Sequence, residues 1–149
     1  MELKRKIYNQ LLEWKQDWKG TSSLMIEGAK GVGKSTIAEK LGREEYKSYV
    51  VIDFSKANKR IKDTFKEDLE NLDIFFQTLM LETNVRFYNR DTLLIFKDVQ
   101  YFPRARESLK FLVEDGRYDY IATGSLISIH ENVKDILIPS EVHSIKCIH

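Results

Sequence analysis

Cysteine occurs only once in this chain, at Cys147, so no disulfide can form within it. A lone thiol fits a reducing compartment. Histidine is nearly as scarce: His130, His143 and His149 are scattered, without the spacing a metal site needs. Long hydrophobic runs are missing too. Apolar stretches such as Leu93 to Phe96 fall far short of a bilayer span, so no membrane partner is expected. After Met1 come Glu2, Lys4, Arg5 and Lys6, but no apolar segment follows. No secretory leader is therefore expected, and the expected location is cytoplasmic. Neither sign of charge is in excess: 24 Lys and Arg face 23 Asp and Glu, a formal net charge of +1. That balance provides no field to steer DNA, so a nucleic-acid partner is not supported. No internal repeat, low-complexity tract or linker is visible. What is present suits one folded unit of 149 residues, 42% of them apolar. Such a chain can bury about two-thirds of the surface its unfolded form exposes.

The most informative stretch is Gly28-Ala29-Lys30-Gly31-Val32-Gly33-Lys34-Ser35, which fits the phosphate-cradling pattern G-x-x-x-x-G-K-[ST]. The apolar run Leu24-Met25-Ile26 precedes it, and Thr36 to Leu41 continues as a helix, which is the strand–turn–helix context the motif requires. Glycines at 28, 31 and 33 let the backbone turn its amides toward one anion. A helix starting near Lys34 adds unpaired N–H groups and the positive end of its dipole. Gly28 to Thr36 are thus the expected nucleotide-binding residues. Lys34 is expected to reach the β- and γ-phosphates, and the Ser35 hydroxyl to ligate Mg²⁺. The competing reading, a flexible turn carrying a surface lysine, leaves the flanking strand and helix unexplained.

Periodicity supplies the surroundings. Leu3, Ile7, Leu11, Trp14 and Trp18 form one stripe of an opening helix, expected to pack on a sheet. Strands are expected at Leu24 to Glu27, Tyr49 to Phe54, Leu93 to Phe96, Tyr118 to Thr123 and Ser144 to Ile148. Gly42 is expected to stop the P-loop helix. Further helices are expected over Lys56 to Asp68, with a mostly exposed surface, over Leu69 to Thr83, from Pro103 to a stop at Gly116, and over Glu131 to Ile136. Strands alternating with helices imply an α/β fold with a parallel sheet and helices on both faces.

Hydrolysis needs an acidic residue at a strand end to hold Mg²⁺ and a group to orient water. The natural place follows Leu93 to Phe96, where the chain reads Lys97-Asp98-Val99-Gln100. With Gly28 to Thr36 and Ala122-Thr123-Gly124-Ser125, this segment order resembles the AAA-superfamily ATPases of the additional-strand P-loop class. More narrowly it is similar to an uncharacterised prokaryotic family in which an ATPase module precedes a C-terminal domain of unknown function. The resemblance spans nearly the whole chain, with the P-loop its sharpest part. It implies a P-loop NTPase three-layer sandwich of about five parallel strands, order 5-1-4-3-2. It also implies ATP and Mg²⁺ as ligands, a protein partner or homo-oligomer, and Thr123 or Ser125 as the γ-phosphate sensor.

Three departures from the family pattern stand out. That pattern reads Asp-Glu-(Val/Ile)-Gln at the second motif, so Lys97 replaces the metal-facing aspartate and Asp98 the water-polarising glutamate. Alternatively the register slips by one and Asp98 holds the metal with no base left. In both cases the catalytic set reduces to Lys34, Asp98 and Ser125, the metal set to Ser35 and Asp98, and hydrolysis is expected to be weak or lost. His143 stands near where relatives carry an arginine. The chain also stops at His149, before a helical lid or second domain, as expected of a single ATPase core over residues 1–149. The alternatives are a small-molecule or nucleotide kinase, which lacks an arginine-bearing lid segment here, and a non-hydrolysing nucleotide-dependent interaction module.

Other tempting residues have plainer explanations. Lys56, Lys59, Arg60 and Lys62 read as a solvated helix face because Asp63, Glu67 and Asp68 follow. Arg104 and Arg106 are candidates for phosphate or subunit contact. Asp53 is either a polar residue near the nucleotide or a strand-end turn former.

Overall fold

The computed structural model describes residues 2–28, 33–125 and 142–147. The helix expected over Glu131 to Ile136 lies outside the described residues. Helix α1 (Glu2–Trp18) leads to β1 (Ser23–Gly28), α2 (Lys34–Glu45) and β2 (Ser48–Asp53). Next come α3 (Lys59–Glu67), α4 (Leu72–Thr83), β3 (Thr92–Lys97), a 3-10 turn at Val99–Tyr101, α5 (Pro103–Asp115) and β4 (Asp119–Ser125). The four strands form a parallel sheet of order 1-4-3-2, and Val142–Cys147 (β5) runs parallel to β1 along its other side.

Alternation along the strands sends side chains to two separate cores. Leu24 and Ile26 of β1, Leu93 and Ile95 of β3, and Ile121 of β4 meet α1 and α2 in a mainly aliphatic layer that also holds Trp14 and Tyr46. Their sequence neighbours Met25, Leu94, Phe96 and Tyr120 meet α3, α4 and α5 on the opposite face. That second layer is aromatic: Phe65 packs edge-on against Phe54, Phe75 and Phe96 at centroid separations of 5.3, 4.9 and 5.4 Å. Such offset contacts add about 0.5–1.5 kcal/mol each beyond simple burial.

Caps correct several expected boundaries. The helix expected from Lys56 starts at Lys59 because Asn58 is its cap, with Oδ1 accepting the Ile61 N–H at 2.9 Å. Its Ile61, Thr64 and Phe65 are buried. Asn71 caps α4 in the same way, moving its start from Leu69 to Leu72. α5 begins at Pro103 and ends at Gly116, whose left-handed φ of 80° and N–H bond to the Leu112 carbonyl close the helix as expected.

Gly42 does not stop α2, which continues to Glu45. A Cβ on Gly42 would lie 2.6 Å from the Tyr49 Cβ, so this glycine allows the helix to approach β2. Its role is packing. Trp14 is buried and donates its indole N–H to the Ser22 carbonyl, whereas Trp18, expected on the buried stripe, is 39% exposed at the helix end.

Candidate nucleotide site

The end of β1 and the start of α2 frame the site. Gly33 has φ 82°, a left-handed conformation that costs an L side chain about 1–2 kcal/mol. It turns the chain into α2, whose first hydrogen bond runs from the Ile37 N–H to the Gly33 carbonyl. Helix geometry leaves the N–H groups of the first turn without partners inside the helix, with the positive dipole end at the same place. Ala29, Lys30, Gly31 and Val32 lie outside the described residues.

Gly28 ends β1 beside Ser125 of β4. Lys34 is buried, and its ammonium donates to the Gly28 carbonyl at 2.7 Å. The lysine expected on the phosphates therefore spans the mouth of the loop. Ser35 is half-buried and Thr36 exposed at the helix start.

Strand register assembles the remaining residues. Asp53 and Lys97 are partners at the carboxyl ends of β2 and β3. By alternation Lys97 falls on the side of Leu93 and Ile95, the face covered by α2. Thr123 follows the same parity as Ile121, and Ser125 follows Thr123. Lys97 Nζ lies 3.8 Å from Asp53 Oδ2. The other oxygen of Asp53 accepts from the Ser55 N–H at 3.0 Å and the Ser55 hydroxyl at 2.6 Å. Burial alone would raise the Asp53 carboxyl, but Ser55, Lys97 and Lys56 outweigh it and hold it below its ordinary value. Asp53 is thus the strand-end turn former that the sequence allowed, standing on the face covered by α2.

Asp98 leaves the strand in a left-handed conformation, φ 59° and ψ 54°, one that aspartate tolerates better than most residues. Its backbone N–H donates to the Thr123 hydroxyl at 3.2 Å. Thr123 and Asp98 are therefore coupled, and Thr123 is buried while Ser125 sits at the strand end.

Lys4 was passed over in the sequence. Its Cε would lie 4.0 Å from a Cβ on Gly33, so α1 brings a cation to the loop. A cavity of about 320 Å³ opens beside it between α1 and α2, walled by Lys4, Arg5 and Tyr8 and by Thr36, Lys40 and Arg43. The Tyr8 hydroxyl donates to Glu44 at 2.6 Å, and the Lys40 ammonium lies 4.4 Å over the Tyr8 ring. Burial first, then Glu44, push the Tyr8 phenol well above its ordinary pKa, so it stays a neutral donor. The available signal was that Lys4, Tyr8 and Leu12 recur every four residues, a second face beside the Ile7–Leu11 stripe.

The two candidate arginines both sit on α5. Arg104 donates to the Phe65 carbonyl at 3.2 Å. Arg106 is buried on α5, on the face away from α2, where Glu27 is its stabilising charge. The basic face of α3 is solvated and ion-paired, Lys59 with Asp63 and Arg60 with Glu82. His143 enters only as the register partner of Leu24. No described helix is long and apolar enough to cross a membrane.

A strand, a left-handed glycine turn and a helix start, with polar strand ends gathered on the helix face, define a P-loop domain. Residues 21–139 match the family model described as "AAA domain", and the chain belongs to that family, a P-loop ATPase core. Family membership implies nucleotide binding, in general ATP with Mg²⁺. Among curated proteins, none matches this chain in sequence. Among solved structures it is similar to Drosophila ORC bound to DNA, at 11% identity and TM-score 0.59, over 98% of this chain and 91% of that one. It is also similar to a DNA replication initiation factor, at 12% identity and TM-score 0.53, over 98% of this chain and 46% of the other. For C. elegans PCH-2 the values are 10%, 0.54, 95% and 41%. At such identities the likeness concerns the fold alone. This chain spans less than half the length of the last two.

Proposed function

We propose that this chain is an ATP-binding domain of AAA type in which hydrolysis is weak or lost. The observation that carries this reading is Lys97, ion-paired to Asp53 at the strand ends on the face of the P-loop helix. Counting β5, the strand order 5-1-4-3-2 and the two helical layers suit a three-layer P-loop sandwich.

In this reading Gly28 to Thr36 hold the triphosphate, with Lys34 moving from the Gly28 carbonyl onto the β- and γ-phosphates. Ser125, beside Gly28, reads the γ-phosphate, and Thr123 fixes the Asp98 backbone behind it. The cavity at Thr36, Lys4 and Tyr8 takes the nucleoside end.

A magnesium ion in such sites is held by the P-loop hydroxyl and a strand-end carboxylate. Ser35 and Asp98 are the groups this chain has for that task. Lys97 has no lone pair to offer a metal, and like charge repels the ion. The donor set does not fit a tight magnesium site. Asp98 is also one methylene shorter than glutamate, and a misplacement of about 1 Å can cost on the order of a hundredfold in rate.

ATP binding and steady-state turnover on the same preparation test the proposal. Saturable binding with slow or undetectable turnover is expected, and brisk turnover would contradict it. The variant Lys97→Asp with Asp98→Glu is expected to turn over faster; no gain in a folded, ATP-binding variant would refute the missing-carboxylate account. The Lys97–Asp53 pair also favours a second reading, in which bound ATP orders a surface for a protein partner without being consumed. Partner capture that depends on ATP but survives undetectable turnover selects it.

A further inference from the structure

We infer that Lys97 takes over the charge-compensating task of the divalent cation, so that this chain binds ATP without magnesium. The inference rests on the ATP-binding reading above and concerns how that site neutralises its ligand.

Three observations converge. First, β3 parity puts the Lys97 side chain on the α2 face, with Asp53, Thr123 and Ser125 at neighbouring strand ends. Second, its ion pair with Asp53 is loose: 3.8 Å is beyond hydrogen-bonding distance, and the Lys97 side chain is 37% exposed. Asp53 meanwhile keeps the two Ser55 hydrogen bonds, so it remains satisfied when the lysine leaves. Third, an ammonium on a four-carbon stem carries three rotatable donors and can swing toward an anion.

Lys97 supplies a charge difference of the size a divalent cation would bring, with Asp53 and Asp98 the carboxylates left at these strand ends. Substituting an ammonium for the usual strand-end carboxylate adds about two positive charges locally, the amount a divalent cation would bring. Lys34, Lys97 and the α2 dipole then surround the triphosphate, and Lys4 approaches Gly33 from α1. No bond is made or broken; only binding is at issue.

The test is calorimetric titration of the whole chain with ATP, once in EDTA and once in magnesium, for the natural protein and for Lys97→Met and Lys97→Asp. Thermal unfolding checks that each variant is folded, and the exposed position of Lys97 favours this. The natural chain is expected to bind in EDTA within about threefold of its affinity in magnesium. Lys97→Met is expected to lose roughly tenfold or more in EDTA, the loss of one charge-assisted contact. Lys97→Asp is expected to bind only with magnesium. Binding by the natural chain restricted to magnesium, or equal binding of Lys97→Met and the natural chain in EDTA, would overturn the inference alone. Absence of binding in both buffers would overturn the ATP-binding reading with it.

Discussion

Asp53 and Lys97 end adjacent strands as register partners, with the Lys97 ammonium 3.8 Å from the Asp53 carboxylate on the face covered by α2. The contact is too exposed to stabilise the fold much; pairs of this kind are worth about 0–1 kcal/mol. Its consequence is local charge. A carboxylate at 97 would sit beside Asp53 and require a cation, whereas the lysine removes that requirement.

Asp53→Asn is expected to change stability by less than about 1 kcal/mol, because an exposed pair is screened by solvent. The sign of its pH dependence follows from the direction of the shift. The Asp53 carboxyl is held below its ordinary value in the folded state, so its small contribution is present at neutral pH. It is lost as pH falls from the unfolded value through the folded one. Urea unfolding at neutral and acid pH should show the natural chain losing slightly more stability than Asp53→Asn on acidification. A larger loss in the variant would contradict this.

Gly42→Ala sets helix propensity against space. Alanine is favoured over glycine in a helix interior by about 1 kcal/mol. Here the new Cβ would meet the Tyr49 Cβ at 2.6 Å, close to backbone that cannot swing aside. Overpacking of this kind costs roughly 1–3 kcal/mol, so a net loss of stability is expected. A rise in melting temperature would show that α2 can lift from β2 freely.

Arg106→Met is expected to be destabilising. The guanidinium is buried, with Nε and one terminal nitrogen without a hydrogen-bond partner among the described residues, and desolvation lowers its pKa while Glu27 raises it. Removing the arginine alone leaves Glu27, itself 5% exposed, without that charge. Losing a nearby charge that favours a buried carboxylate costs on the order of 1–3 kcal/mol. Adding Glu27→Gln is expected to recover part of the loss, and strictly additive losses would refute the coupling.

Much of this architecture was legible because the signals were local. The P-loop spacing, the four-residue stripe Ile7–Leu11, the proline at 103 and the glycine at 116 each act within a turn or two of chain. The errors came where distant residues decide. Gly42 reads as a helix stop until Tyr49 is brought against it. Trp18 continues the stripe numerically but stands at the exposed end of α1. Lys4 reaches the loop through α1–α2 packing, and the charge of Glu27 on β1 acts on Arg106 of α5. Neither relation has a sequence spacing. The lysine at 97 was visible at once; that Asp53 stands next to it required the strand register.

Equilibrium titration with ATP of the natural chain and of Lys34→Ala is the most direct test of the account. The natural chain is expected to bind saturably. The variant loses the buried Lys34 ammonium at the loop mouth and should bind at least about tenfold more weakly. An absence of heat with the natural chain, or equal affinity in a folded Lys34→Ala, would contradict the phosphate site on which the functional reading depends.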